Sequence, residues 1–313
     1  MAAFRGRHPW GRTFLSDTSD HPVENRPLGI ALRAAAMVAF ACLAALVKWT
    51  SQRHVPVFEI IFFRNAFALI PVAAMVFSTP RGLSVLHTTR PLAHLLRSGI
   101  GIAAMVCGFT ATSLLPLTQS TALNFTTPLF MTALSALILK EHVGVHRWAA
   151  VAVGFIGVLI MIRPGAAGAF SLGTVLGLTG ALMGAGATIA IREIGRTEAG
   201  PTIVFYFTMA GAALGLSSLP FGWVIPNAWV LAALIGAGLV GGIGQLLITT
   251  ALRIAPIAVI APFDYSQLLW AGILGYLLFG DTPHANTIAG ALVVAASGGY
   301  ILFRETRRRR ATA

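Results

Sequence analysis

Apolar residues are concentrated in ten long stretches of the chain, and short segments rich in glycine, proline and charge separate them. A helix needs about 20 predominantly apolar residues to cross a bilayer, so each stretch is predicted to be a transmembrane helix. The stretches lie near residues 28–50, 55–77, 92–113, 118–139, 146–162, 172–191, 200–219, 228–250, 257–279 and 285–303. This pattern predicts an all-α integral membrane protein with ten transmembrane helices.

The composition narrows the classes of function. Of the 313 residues, 56% are hydrophobic and only 10% are charged, whereas about 25% of the residues of a soluble domain are charged. The longest polar segment is the first 27 residues, which leaves no room for an appended soluble enzyme or receptor domain. We therefore expect the function to lie within the membrane-spanning part.

The basic residues are unevenly divided between the two ends of the predicted helices. If the N-terminus is cytoplasmic, 16 lysines and arginines lie on inward segments and two, Arg53 and Arg163, lie on outward ones. By the positive-inside rule, this bias predicts a multi-pass protein of the bacterial cytoplasmic (inner) membrane. Cytoplasmic tails are expected over 1–27 and, strongly basic, over 304–313. The net charge of +12 is then a signal for topology and the lipid surface, and no nucleic acid is expected as a partner.

An internal duplication becomes visible when the chain is shifted by 140 residues, because a proline-started helix, an acidic turn and a closing helix recur in order. The matched positions are Leu115-Pro116 with Ala255-Pro256, Asn124-Phe125 with Asp264-Tyr265, Glu141 with Asp281, and 148–161 with 288–301. This duplication predicts two five-helix repeats, over 28–163 and 172–303. Because five is odd, the second repeat enters the membrane from the opposite side. Such inverted repeats place a binding site near the midplane at their interface.

Motifs in several predicted helices resemble those of the EamA-type family of the drug/metabolite transporter (DMT) superfamily. They are Phe58-Glu59 with Arg64, Pro128 with Glu141, Pro262-Phe263-Asp264-Tyr265, and Phe279-Gly280-Asp281-Thr282-Pro283. The likeness extends from Leu28 to Arg304, and within the family it is greatest to S-adenosylmethionine and riboflavin uptake members. It implies a secondary transporter that moves a small polar solute by alternating access. S-adenosylmethionine, riboflavin and amino acids are the candidate solutes, with uptake or export according to the member.

Ionisable residues within the predicted helices are the next candidates, because an isolated charge in hydrocarbon is costly. They are Arg33, Lys48, Glu59, Arg64, Arg97 and Asp264. At 1.5 Å per residue, Arg33 and Arg97 lie within about 10 Å of cytoplasmic helix ends, so their side chains are expected to extend to the interface. Lys48 and Glu59 flank the outer connection between the first two helices. Pairing across it would make them an outer gate or a structural clamp.

Asp264 is the sharpest single candidate for a functional group. It follows Pro262, whose ring removes a backbone hydrogen bond from the ninth helix. Its carboxyl could bind a proton during transport or pair with a cationic solute. The alternative is a structural pair with Arg64, Arg97 or a local hydroxyl. Arg64 itself lies too deep to reach the interface easily, so it either lines a cavity or pairs between helices.

Polar and aromatic neighbours complete the predicted site. Asn124, the repeat mate of Asp264, lies near Gln119 in the fourth helix, and Tyr265 and Trp270 lie in the ninth. The amides could bind a polar solute or join helices, and the rings could stack on a solute or only pack. The predicted substrate-binding or coupling residues are Arg64, Asn124, Asp264, Tyr265, Gln119 and Trp270.

Two other classes of function remain as alternatives. His94 and Ser98 lie four residues apart on one face of the third helix, a spacing that suits the base and nucleophile of an intramembrane enzyme. The sequence places no acid to orient His94, and we predict no catalytic residue. A non-transport structural membrane subunit would need neither inverted repeats nor buried charge.

The sequence predicts neither a cofactor nor a metal site. A GxGxxG pattern at Gly236, Gly238 and Gly241 lies inside an apolar stretch, whereas a dinucleotide site needs a preceding strand. No Walker motif for ATP occurs either, so energy must come from a gradient of solute, proton or sodium. The expected partners are a small organic solute, membrane lipid, a proton or sodium ion, and a second copy bound through the small-residue faces of the sixth and eighth helices.

Overall fold

The computed structural model describes residues 25–80, 82–138, 144–162, 170–195, 197–255 and 257–311. Within them the backbone forms helices and turns and no strand. The α-helices are α1 (Arg26–Ser51), α2 (Val57–Phe77), α3 (Pro91–Leu114), α4 (Leu117–Asn124), α5 (Thr127–Ile138), α6 (Val145–Ile162), α7 (Leu172–Ile194), α8 (Gly200–Ser217), α9 (Ala228–Ile254), α10 (Ile257–Ile260), α11 (Ser266–Phe279) and α12 (Ala285–Ala311). Glu141 and most of the N-terminal tail lie outside the described residues.

Six of the described helices are long and apolar enough to cross a membrane. They are α1, α2, α3, α7, α8 and α9. Helices also occupy the other four predicted stretches, but two of those stretches are broken. The last helix continues to Ala311, so the predicted end at residue 303 is wrong and most of the basic segment 304–313 is helical.

The predicted fourth helix is interrupted between α4 and α5. Pro128 has no N–H to donate to the carbonyl of Asn124, so the helical hydrogen-bond ladder cannot pass through this point. The Thr127 hydroxyl instead donates to the Asn124 carbonyl oxygen at 2.7 Å. The prediction of one continuous helix over 118–139 is therefore wrong at this point.

The predicted ninth helix is interrupted in the equivalent place. A short α10 is followed by a 3-10 turn over Ala261–Tyr265 and then by α11. Because Pro262 lacks a backbone donor, an irregularity here is expected from the sequence. Both breaks therefore fall near the positions that the 140-residue shift matches, Asn124-Phe125 and Asp264-Tyr265.

The long helices pack in a small number of extensive pairs. α1 packs against α9, α3 against α7, α2 against α8 and α9, and α6 against α12. One apolar cluster joins α4, α5, α6 and α12 through Leu123, Leu129, Val158 and Val294. Another joins α1, α2 and α9. The two broken helices meet between these clusters, since α11 packs against both α1 and α4.

Glycines allow the closest of these approaches. A Cβ on Gly238 of α9 would lie 2.9 Å from the carbonyl oxygen of Phe63, and one on Gly180 of α7 would lie 3.1 Å from the backbone nitrogen of Gly108. The small-residue faces of α7 and α9 thus allow close packing between helices of the chain. The GxGxxG pattern lies wholly within the continuous helix α9.

Candidate functional site

The two helix breaks lie side by side in the fold. The rings of Phe125 and Tyr265 are in contact, with centroids 5.2 Å apart. Asn124 ends α4 beside them with an exposed side chain, and Asp264 precedes Tyr265 in the 3-10 turn. Of the predicted site residues, the structure thus brings Asn124, Asp264 and Tyr265 to one junction.

Asp264 forms a two-pronged ion pair with Arg33 of α1. The Arg33 Nε donates to Asp264 Oδ1, and Nη2 donates to Oδ2 at 2.6 Å. The two side chains are 13% and 30% exposed. The expectation that Arg33 extends to the interface is wrong. The suggested pairing of Asp264 with Arg64 or Arg97 is also wrong. A guanidinium group can donate to both carboxylate oxygens at once. Arg33 therefore pairs with Asp264 and does not extend towards water.

Tyr265 packs closely against α12 because the residue that it meets there is a glycine. A Cβ on Gly298 would overlap the Tyr265 hydroxyl oxygen, whereas a Cβ on Gly299 would lie 3.9 Å from the nearest ring carbon. The ring therefore fits between Phe125 and a bare stretch of backbone.

We expect Gly298→Ala to lower the thermal unfolding midpoint in detergent, because overpacking costs about 1–3 kcal/mol. Adding Tyr265→Phe removes the overlapping oxygen and should restore most of the loss. Gly299→Ala is the matched control and should have no such cost. An unchanged midpoint for Gly298→Ala would contradict the close contact.

A second ion pair lies at the opposite end of α1. The Lys48 Nζ is 2.5 Å from Asp281 Oδ2 and donates to the Leu115 carbonyl oxygen at 3.1 Å. The same Asp281 oxygen accepts a hydrogen bond from the Leu117 backbone nitrogen at 2.9 Å. Lys48 is only 5% exposed, so this charge is buried and paired.

The predicted pairing of Lys48 with Glu59 is wrong. Glu59 is fully buried and accepts a hydrogen bond from the Val224 backbone nitrogen at 3.0 Å. Asp281 was not among the predicted site residues. Its match to Glu141 in the repeat and its place in the Phe279–Pro283 motif were the signals that could have identified it.

Arg64 and Arg97 lie away from the junction, where α2 and α3 meet the second half of the chain. The Arg97 guanidinium lies over the Phe207 ring of α8, 3.9 Å from its centroid. Arg97 is 8% exposed, so the expectation that it extends to the interface is also wrong. Arg64 donates to the Asn65 Oδ1 at 2.9 Å.

The remaining two predicted residues are not brought to Asp264 by any contact within the described chain. Gln119 lies in α4 and Trp270 in α11, and both are half-buried. Their assignment to the site stays a prediction.

A polar cluster ties the start of α3 to the α7–α8 connection. Glu198 Oε1 accepts hydrogen bonds from the Thr88 hydroxyl at 2.9 Å and the Thr89 backbone nitrogen at 3.1 Å. The other carboxylate oxygen is 3.8 Å from His94 Nε2. An acid that the sequence did not place near His94 thus approaches it, but neither ring nitrogen of His94 has a hydrogen-bond partner within the described residues. The His94 ring also contacts the ring of Tyr206 at a tilt, with ring centroids 4.8 Å apart.

The Glu198 carboxyl lies in a connection outside the spanning helices, where its surroundings favour ionisation. Burial opposes the charged form, but the hydrogen bonds from Thr88 and Thr89 and the nearby His94 lower the pKa of Glu198 below its ordinary value. A lowered pKa in the folded protein means that the ionised group stabilises the fold above the ordinary glutamate pKa of about 4.3. That contribution is lost as the pH falls through the lowered value.

We accordingly expect the thermal midpoint of the protein to fall as the pH drops from about 5 to about 3, and Glu198→Gln to flatten part of that fall. The measurement is thermal unfolding in detergent across this range for both proteins. Parallel curves for the two would contradict the stabilising role of ionised Glu198.

A family model and several known proteins match this chain, and they agree on the family to which it is similar. The model of the EamA-like transporter family matches residues 27–163 and again residues 171–303. The riboflavin transporter of Rhizobium johnstonii is 30% identical over 278 residues, covering 87% of this chain and 90% of that protein. The pseudopaline exporter CntI of Pseudomonas aeruginosa is 28% identical over 86% of this chain and 94% of its own. The S-adenosylmethionine uptake transporter of Rickettsia prowazekii is 27% identical over 80% and 84%.

The fold also has a counterpart among solved structures. One crystal structure superposes with a TM-score of 0.63 at 17% identity, over 90% of this chain and 99% of that one. The names of the three relatives describe transporters, not enzymes.

Proposed function

Because the chain belongs to the EamA-like transporter family of the drug/metabolite transporter superfamily, we propose that it moves a small polar organic solute across the bacterial inner membrane by alternating access. The candidate solutes are S-adenosylmethionine, riboflavin and amino acids, and the cycle can run as uptake or export. The observation that carries the proposal is the meeting of two broken helices beside the Arg33–Asp264 pair, since discontinuous helices form the central sites of secondary transporters.

The helix packing supports an inverted-repeat architecture for this carrier. The two proposed repeats, 28–163 and 172–303, run from α1 to α6 and from α7 to α12, with α4–α5 and α10–α11 each counting as one span. Exchanging equivalent spans turns the α1–α9 pair into the α7–α3 pair, and it leaves the α2–α8 and α6–α12 pairs unchanged. All four of these pairs occur in the fold.

We propose that the two ion pairs made by α1 are the gates of the carrier. Arg33 and Lys48 lie about 22 Å apart along α1 at 1.5 Å per residue, and each pairs with an acid at one end of the broken ninth span. With a cytoplasmic N-terminus, Arg33–Asp264 closes the inner side and Lys48–Asp281 the outer side. Transport then requires the pairs to open in turn. A proton on Asp264 would release Arg33 and couple the inner gate to a proton gradient.

Counterflow in proteoliposomes tests the proposed function. Vesicles are preloaded with unlabelled S-adenosylmethionine, riboflavin or one of a set of amino acids, and entry of the same labelled compound is followed. A carrier gives a transient, saturable accumulation of at least one compound above that in protein-free vesicles. No accumulation of any of them, from protein shown to be folded and inserted, would contradict the proposed solute class.

A further inference from the structure

Two arginines of the first repeat, the buried Arg97 and the half-buried Arg64, have guanidinium nitrogens without hydrogen-bond partners within the described residues. The Nε and Nη1 of Arg97 and the Nε of Arg64 are inaccessible to solvent and unpaired in the described part of the chain. The two side chains are also close enough to interact electrostatically. Two like charges held together away from water are costly unless an anion compensates them.

Four acidic residues near the spans are engaged elsewhere. Asp264 pairs with Arg33 and Asp281 with Lys48. Glu59 accepts from Val224, and Glu198 from Thr88 and Thr89. Each of these four carboxylates is therefore engaged away from the two arginines.

The surroundings of the pair hold the guanidinium groups in place without neutralising them. Phe207 of α8 supports the Arg97 guanidinium face, and Asn65 of α2 accepts from Arg64. Gly211 of α8 gives Asn65 its space, because a Cβ there would lie 2.6 Å from Asn65 Nδ2. On the other side, Arg64 Nε is 3.5 Å from where a Cβ on Gly241 of α9 would lie.

The pair thus lies where α2 and α3 of the first half meet α8 and α9 of the second. We propose that Arg64 and Arg97 together bind a carboxylate of the transported solute, which makes the carrier selective for carboxylate-bearing metabolites. Guanidinium groups match planar carboxylates through paired hydrogen bonds, which a lysine cannot reproduce. Arg64 is only half-buried, which leaves part of this side chain accessible to a solute. This inference rests on the proposed transport function and assigns its substrate class.

The test measures binding separately from transport. Equilibrium binding of S-adenosylmethionine and a set of amino acids to the detergent-purified full chain is compared with binding of the corresponding decarboxylated compounds and of inorganic phosphate. We expect at least one carboxylate compound to bind and its decarboxylated counterpart to bind at least tenfold more weakly. Equal binding of the two members of each pair, or stronger binding of phosphate, would overturn the assignment.

Variants of the two arginines test whether these residues bind the carboxylate. Arg97→Gln and Arg64→Gln should each weaken carboxylate binding at least tenfold, and Arg97→Lys should restore only part of it. Because an uncompensated charge is removed, the thermal midpoint of the unliganded protein should stay the same or rise. A lowered midpoint with unchanged binding would make the arginines structural and overturn the proposal. Arg53→Gln is the matched control, since Arg53 lies on the exposed outer turn and stacks on Trp49.

Counterflow with the same variants separates this inference from the proposed function. Exchange of riboflavin, which has no carboxylate, that survives both glutamine variants would support the carrier and overturn the carboxylate site. Carboxylate binding that the variants abolish, in a protein that exchanges no solute, would support the site and overturn the carrier.

Discussion

Replacing Asp264 with asparagine is expected to lower gradient-driven accumulation of the solute at least about tenfold while the protein still inserts and folds. The amide cannot neutralise Arg33 or carry a transferable proton, and hydrogen bonds between charged groups contribute about 1.5–3 kcal/mol. A loss of 1.4 kcal/mol already shifts the balance between closed and open inner gates about tenfold. Accumulation in proteoliposomes with an imposed pH gradient measures the effect.

Exchange of the two charges is the control for this prediction. Arg33→Asp combined with Asp264→Arg keeps opposite charges at the two positions, so it should recover part of the accumulation that Asp264→Asn loses. Undiminished accumulation by Asp264→Asn would contradict both the gate and the coupling role. If Asp264→Asn loses accumulation and the exchanged variant does not recover it, the position of each charge is required and opposite charge alone is not enough.

Replacing Asp281 with leucine is expected to have the largest effect on stability. It leaves the Lys48 ammonium, which is 5% exposed, with the Leu115 carbonyl but no carboxylate. It also removes the acceptor for the Leu117 backbone nitrogen. Removing one partner of a buried ion pair costs about 3–5 kcal/mol. The measurement is the fraction of monodisperse protein in detergent and its thermal midpoint.

A double variant separates the cost of the orphaned charge from the role of the pair. Lys48→Met with Asp281→Leu replaces both charges by apolar groups, which is often neutral for stability. We expect the double variant to fold much better than Asp281→Leu and yet to transport poorly, because the outer gate has lost its specific pair. Transport equal to wild type in the double variant would count against Lys48–Asp281 as a gate.

Much of the fold follows from patterns that are local in the chain. Each predicted apolar stretch contains helix, since hydrocarbon forces every backbone group to find a partner within its own segment. The break at Pro262 is likewise predictable from a missing donor. The break at Pro128 could have been predicted from the same missing donor. The continuous apolar run around Pro128 instead suggested one unbroken helix.

The side-chain partners could not be obtained in this way. Arg33 and Asp264 are separated by 231 positions, and Lys48 and Asp281 by 233, so only the packing of α1 against α11 brings them together. Depth along a helix predicted that Arg33 and Arg97 reach water. Depth along a helix does not indicate whether a neighbouring helix places a carboxylate or an aromatic ring within reach of the arginine. The sequence could indicate that Asn124, Asp264 and Tyr265 lie at equivalent places because the 140-residue shift matches Asn124-Phe125 with Asp264-Tyr265.

Thiol labelling of Asn124→Cys, in a background with Cys42 and Cys107 replaced by alanine, tests alternating access most directly. Asn124 is exposed at the junction of the two breaks, and under the proposed mechanism it lies between the two gates, so a membrane-impermeant reagent is expected to reach it from each side only when the gate on that side is open. Adding Asp264→Asn should speed labelling from the cytoplasmic side and slow it from the outside. Adding Asp281→Asn should do the reverse. Labelling that changes in the same direction in both variants, or in neither, would contradict two gates that open in turn.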